Sequence, residues 1–146
     1  MRALLQRVTR ASVRIDGETV GAIASGWAIL IGVGAADTDQ TARRLADRVA
    51  HLRGLNDDTN RLNRSLLDAS GSALVVSQVT LYADTTRGRR PSFAAAAPLE
   101  QAERLVDRFA ARLRELGIPV ATGRFRAHMA LELVNDGPVT FLLTED

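Results

Sequence analysis

"NDGPVT", residues 135–140, lies between the apolar runs "ALELV" (130–134) and "FLLT" (141–144) near the end of the chain. Asn, Asp and Gly between two apolar runs predict a turn, and with it a hairpin at the end of the chain. Pro138 is the anomaly, because it follows Asp136-Gly137 directly and has no N–H for the ladder that the returning strand should be forming. By these residues alone the segment is a trans type I or II turn stiffened by proline.

A second hairpin stands at the other end, where "ASVRI" (11–15) and "ETVGAI" (18–23) flank the two-residue turn Asp16-Gly17. Further strand-like runs are "RALLQRV" (2–8), "WAILIGVG" (27–34), "ALVVSQVTLYA" (73–83), "HMALELV" (128–134) and "PVTFLLT" (138–144). Two segments carry helical periodicity instead. In "DTDQTARRLADRVAHLRGL" (37–55), Ala42, Leu45, Ala46, Val49 and Leu52 form one apolar stripe after an Asp/Thr-rich start. In "APLEQAERLVDRFAARLRELG" (97–117), Pro98 opens the helix, Leu99, Ala102, Leu105, Val106, Phe109, Leu113 and Leu116 share a face, and Gly117 stops it. Strands outnumber helices. The expected fold class is α+β, with mixed or antiparallel sheets forming a partial barrel covered by two main helices.

The chain has 146 residues, 46% of them hydrophobic, and shows no linker or internal repeat, so one domain over 1–146 is expected. The pI of 10.3 exaggerates a formal charge of only +2. All 19 basic residues are arginine, which stays charged to high pH and lifts the pI with little net charge at neutrality. Bulk charge therefore says little about nucleic acid. Without cysteine there are no disulfides and no thiolate chemistry. The start, "MRALLQRVTR", is too interrupted by arginine for a signal peptide, and no run reaches membrane-spanning length, so a cytoplasmic location is expected.

The chemistry-bearing groups are few. "WAILIGVGAAD" has Gly32 and Gly34 but Asp37 at the third glycine position of a dinucleotide fingerprint, and a leading hairpin does not fit a βαβ unit; it reads as a strand ending in a turn. His51 flanks the first helix and reads as solvated. His128 reads as an ordinary strand histidine, with Met129, Leu131 and Leu133 on the opposite face. No cluster with metal-ligand spacing is present, and neither a metal nor a cofactor is expected. "TTRGRRPSF" (85–93) concentrates Arg87, Arg89 and Arg90 in a loop that could grip phosphates but reads, alone, as solvated. In "VVSQVTLYAD" (75–84) strand alternation would put Gln78 and Thr80 side by side, which alone reads as the wet face of a strand.

Together these stretches carry more than they do singly. "SQVTLYAD", "GRRPSF", "TGRFRAHM" (122–129), "NDGPVT" and the opening "MRALLQRVTRASVRIDGE" resemble, in order, spacing and length over essentially the whole chain, the D-aminoacyl-tRNA deacylases, formerly D-tyrosyl-tRNA deacylases. The resemblance implies a homodimeric esterase with active sites at the subunit interface, which frees tRNA from D-amino acids, and from mischarged glycine, without a cofactor. It implies a cis bond at Gly137-Pro138, inserted into the partner's site as a filter whose main-chain atoms reject L side chains and ignore the identity of the D side chain. Carried over residue by residue, Ser77, Gln78, Val79 (through its backbone N–H) and Thr80 are catalytic, Met129 and Phe93 join Gly137 and Pro138 in substrate binding, and Arg87, Arg89 and Arg90 hold tRNA. Whether Thr80 attacks the ester or the 2'-hydroxyl of the terminal adenosine assists is open, and the missing base near Thr80 favours the latter. Two positions depart from the family: Val79 stands where Phe is usual, and Leu62 where Met is usual. The alternatives from other classes are a catalytically silent tRNA-binding module of the same fold and a small-ester hydrolase with Thr80 or Ser77 as nucleophile.

Overall fold

The computed structural model describes residues 1–146. Its organising element is β1 (Arg2–Ile15), a single long strand with a different partner on each edge. One edge pairs antiparallel with β3 (Gly26–Gly32) over its first half and with β2 (Glu18–Ile23) over its second. The other edge pairs along almost its whole length with β8 (Ala130–Thr144). β6 (Ser72–Ser77) joins β3 in parallel, and β7 (Val120–Thr122) joins β6 in parallel. Parallel neighbours need long crossovers. α1 (Asp39–His51) lies on the first, together with the small hairpin β4 (Leu55–Asn56) and β5 (Leu62–Arg64) and the one-turn α2 (Leu66–Ala69), and α3 (Leu99–Glu115) makes the second.

Patterning decides which face each element buries. In β6 the run Ala73, Leu74, Val75 and Val76 is buried throughout, as a parallel strand covered on both faces should be. Ala73 and Val75 face the larger core with Leu5, Trp27, Ile29 and Ile31 from the sheet and with Ala42, Leu45, Val49, Leu105, Phe109 and Leu113 from the two long helices. Each such Val or Leu side chain contributes about 1.5–3 kcal/mol by leaving water. Leu74 and Val76 face the other way, into a smaller cluster with Val8, Ala11, Val13 and Ala28. The sheet curls around this cluster until β2 approaches β7, where a Cβ on Gly21 would stand 2.6 Å from the Thr122 carbonyl oxygen. The result is a mixed, nearly closed barrel with helices on one outer face.

The α+β class, the two stripes and the Asp16-Gly17 turn, with φ of 50° and 80°, all agree with the sequence reading. Helix starts follow local chemistry too: Thr38 and Thr41 cap α1 reciprocally, and Pro98 stands at the N-cap of α3.

Four expectations are corrected. "RALLQRV" and "ASVRI" are one strand, bent by register shifts around Val8 rather than broken. The strand through "SQVTLYA" ends at Ser77, and Val79–Tyr82 is a 3-10 turn instead. His128 precedes β8 rather than lying on it. There is also no C-terminal hairpin: residues 130–135 and 140–144 both run antiparallel to β1, in one direction. Between the pairs Val8↔Asn135 and Gln6↔Thr140, β1 contributes Arg7 alone while β8 contributes Asp136, Gly137, Pro138 and Val139, so these residues bulge from the ladder. Proline is tolerated there because no ladder N–H is due from it, and the Val139 N–H is taken by the Asn135 side chain at 2.8 Å.

Candidate active site

A cavity of about 380 Å³ opens at the mouth of the barrel, beside the C-terminal end of β6. Its floor is apolar, made by Leu30, Ile31, Val33, Val76 and Leu131. Three walls rise from it: Ser77, Gln78 and Val79 where β6 gives way to the 3-10 turn; Ala97, Leu99, Ala102 and Val106 at the start of α3; and residues 125–129 leading into β8. An apolar cavity with a few polar groups at a barrel mouth is the usual form of a small-ligand site. No acidic side chain lines it.

The polar edge is held from behind. The Gln78 N–H donates to the Ile31 carbonyl at 2.7 Å, so Gln78 still completes the β3 ladder before the chain turns. Its side-chain amide donates to the Thr80 hydroxyl. The turn thus brings Gln78 and Thr80 together, as expected, although by curvature rather than by strand alternation. Val79 opens the turn with its side chain half exposed at the cavity rim, and the first N–H groups of such a turn have no partner within it. Arg2 clamps the far end: it donates to the Leu81 carbonyl at 2.6 Å and lies 4.4 Å from the centre of the Tyr82 ring. Burial, with the Asp37 carboxylate second, pushes the Tyr82 phenol up to about 12, so it stays protonated beside the site.

Of the residues singled out in the sequence, Ser77, Gln78, Val79 and Met129 meet at the cavity, with Thr80 joined to them through Gln78. Phe93 is exposed and lies outside the lining. Arg87, Arg89 and Arg90 stand on an exposed loop whose neck is closed by the Asp84 and Ser92 backbones at 2.8 and 2.9 Å. Hydrogen bonds to the Asp84 carboxylate, from the Thr86 hydroxyl first and its N–H second, hold that carboxyl below its ordinary range.

Gly137 and Pro138 are not part of the cavity. Their peptide bond is cis, and residues 136–138 are exposed. The bulge is anchored by Arg7, an almost fully buried arginine that donates to the Asp136 carbonyl at 2.9 Å and to the Asn56 side chain at 2.8 Å. Gly137 has φ +135°, and a Cβ there would meet the Val139 side chain at 2.7 Å, so only glycine fits this shape.

Sequence reasoning missed Arg7 and, apart from Met129, the third wall. The signal for Arg7 was its position in step with Ala3 and Leu5, the inward residues of β1, where a charge has to be paired. Phe125, Arg126 and His128 lie in "TGRFRAHM", where the resemblance had given a role to Met129 alone. Leu99 and Val106 passed for core because a helical stripe looks the same whether it meets a core or a cavity.

The fold and this site define an α+β barrel with a ligand cavity at its mouth. Residues 4–144 match the family model described as D-Tyr-tRNA(Tyr) deacylase, and the chain belongs to that family. It is 60% identical over 143 residues to the D-aminoacyl-tRNA deacylase of Roseiflexus sp. (strain RS-1), covering 98% of this chain and 92% of that one. The corresponding protein of Symbiobacterium thermophilum (strain DSM 24528 / JCM 14929 / IAM 14863 / T) is 52% identical over 146 residues, covering 100% and 97%. Among solved structures, c-Myc DNA Unwinding Element Binding Protein superposes with a TM-score of 0.93 at 37% identity, over 99% of this chain and 98% of that one. A probable eukaryotic D-amino acid tRNA deacylase shares the fold, with a TM-score of 0.84 at 18% identity, over 97% of each chain.

Proposed function

We propose that this protein hydrolyses the ester between a D-amino acid and the 3'-terminal adenosine of tRNA, and that it does so as a homodimer, with the Gly137-Pro138 bulge of each chain completing the cavity of the other. The observation that carries the reading is the separation of the two parts. The family's polar strand end borders a cavity, while the bulge lies outside that cavity's lining, on an exposed stretch of the same chain. A second copy is the simplest way to unite them. β8 supplies the means: its outer edge is unpaired, and Val134 and Leu142 stand exposed on it at 40% and 58%. A long open edge of this kind is a template for pairing with another chain.

In the complete site, the partner's backbone groups at residues 136–138 face the α-carbon of the bound amino acid. They receive its ammonium and oppose the position an L side chain would take. A filter of main-chain atoms is strict for chirality and indifferent to side chain, with glycine as its natural leak. Met129 and the apolar floor receive the ligand, and Ser77 and Gln78 orient the ester. Water adds to the ester carbonyl, the bond to the ribose oxygen breaks, and that oxygen leaves with a proton. The Val79 N–H donates to the carbonyl oxygen as its charge grows.

Thr80 is unsuited to be the nucleophile. Its hydroxyl oxygen accepts from the Gln78 amide, and no carboxylate or imidazole hydrogen-bonds to it. The neighbouring 2'-hydroxyl of the substrate therefore assists the water. Arg87, Arg89 and Arg90 meet the RNA backbone, and Phe93 stands at the base of their loop. No helix is long and apolar enough to cross a membrane, and a tRNA substrate places the activity in the cytoplasm.

Single-turnover hydrolysis of matched D- and L-tyrosyl-tRNA tests the reading, with a control whose terminal adenosine lacks the 2'-hydroxyl. Loss of the D ester alone is expected, and the deoxy control should be stable. Equal, uncatalysed decay of both enantiomers would leave a catalytically silent nucleic-acid-binding module, a reading favoured by the DNA-binding name of one structural relative.

A further inference from the structure

The arginines of this chain divide sharply by what holds them. Of the 19, ten form ion pairs: Arg7, Arg10, Arg14, Arg43, Arg44, Arg48, Arg64, Arg104, Arg108 and Arg112. Arg2, Arg53 and Arg114 are engaged instead by carbonyl groups, with an added ring contact for Arg2 and a side-chain amide for Arg53. The remaining guanidinium groups, on Arg61, Arg87, Arg89, Arg90, Arg124 and Arg126, have no protein partner. All but Arg61 belong to two loops. The first is the 85–91 loop already assigned to RNA; the second is residues 123–129 between β7 and β8, where Met129 alone has been given a function.

This second loop is a wall of the cavity. Arg126 lines it directly, and Arg124 stands two residues earlier, exposed. Arg126 has a φ of +65°, and the Ala127 N–H donates to the Arg124 carbonyl at 3.3 Å, so the two arginines flank the first turn of the segment that delivers His128 and Met129. No carboxylate lines the cavity to neutralise them. In a chain with nearly as many acids as bases, leaving Arg126 unpaired on the wall of a mostly apolar cavity, and Arg124 unpaired two residues away, favours an anionic ligand that passes over that wall.

We propose that Arg124 and Arg126 bind phosphates of the single-stranded 3' end of tRNA, next to the terminal adenosine. This rests on the deacylase reading above, because an ester held at Ser77–Val79 forces the preceding nucleotides to leave the cavity across its rim. Two forked donors suit phosphodiester oxygens, and such contacts position the strand without reading its sequence. The loop thus binds the part of the substrate that an aminoacyl-adenosine lacks.

The test compares two esters on two proteins: D-tyrosyl-tRNA and the phosphate-free D-tyrosyl-adenosine, hydrolysed by the wild type and by R124Q/R126Q. On the tRNA ester, kcat/KM should fall about tenfold or more, through KM, with saturated kcat little changed; the salt dependence of log kcat/KM should become shallower by about 0.7 per lost contact. On the adenosine ester any loss should be several-fold smaller than on tRNA, and R124K/R126K should recover part of the loss on tRNA. Equal loss on both esters would overturn the proposal by showing that the loop merely shapes the cavity, and so would an unchanged KM for tRNA. Binding of uncharged tRNA to the same proteins separates this proposal from its foundation. A wild type that binds tRNA about tenfold more tightly than R124Q/R126Q but hydrolyses neither ester retains the phosphate contacts and loses the deacylase reading. Equal binding by the two proteins refutes the contacts whatever the turnover.

Discussion

The cavity at Ser77 and the bulge at Gly137 are built on opposite plans. The cavity is concave and apolar, made by segments scattered from Leu30 to Leu131, and its polar edge depends on a turn clamped from behind by Arg2. The bulge is convex and exposed, made by residues adjacent in sequence, and fixed at its base by one buried arginine and one asparagine. In the proposed dimer one receives and the other inserts, and a chain that carries both is half of two sites.

Breaking the bulge while sparing the cavity should give the largest effect. Gly137→Ala forces a Cβ against Val139 in a backbone conformation that L residues rarely adopt, and kcat/KM for D-tyrosyl-tRNA should fall by about a hundredfold or more. The melting temperature should also fall, by a few degrees, because the backbone strain is confined to the folded state. Interrupting the union comes next. Leu142→Lys places a charge on the open edge strand, and should lower activity about tenfold at dilute protein and restore it on concentration, with sedimentation reporting dissociation over the same range.

Arg7→Ala tests the anchor. It strips donors from the Asp136 carbonyl and the Asn56 side chain at a buried position, and should cost about 1–3 kcal/mol in denaturant unfolding as well as activity. Thr80→Val sharpens the cavity side. A fall in single-turnover rate of less than about tenfold fits assistance by the substrate, whereas the loss of a true nucleophile should exceed a thousandfold.

The smallest effect is in acid. The Asp57 carboxyl is held down at about 2, chiefly by the Thr59 hydroxyl and then the Arg61 N–H, and Glu145 is held below its usual range by Arg48 and then Arg44. A carboxyl whose folded pKa is depressed adds stability that is present above its unfolded value, about 4, and lost as pH falls through the folded one. Unfolding midpoints should therefore be level from neutrality to about pH 5 and decline below about pH 4, less steeply in Asp57→Asn.

How far the sequence could be read follows the same division. The bulge was conspicuous in "NDGPVT" because its oddity is local, a proline where a ladder N–H was due. Its geometry was nonetheless misjudged as a hairpin. Whether a strand returns or continues depends on its neighbour, and the neighbour is β1, more than a hundred residues earlier. The cavity was legible at Ser77–Thr80, where polar residues interrupt an apolar run, and at Met129 through the family resemblance. Its other walls could not be told from core, since Leu99 and Val106 obey the same helical spacing as the buried Leu105 and Phe109. Arg7 could have been found, as an arginine in phase with buried residues; the free arginines at 124 and 126 could not, because pairing is a fact of three dimensions.

The most direct test of the shared site mixes two variants, each inactive by itself: Gln78→Ala, with a damaged cavity edge, and Gly137→Ala, with a damaged bulge. If each bulge serves the other chain's cavity, co-refolded mixtures contain hybrid dimers with one intact site, and activity on D-tyrosyl-tRNA should return to about a quarter of the wild type. A mixture no more active than its components would show that cavity and bulge do not act across two chains.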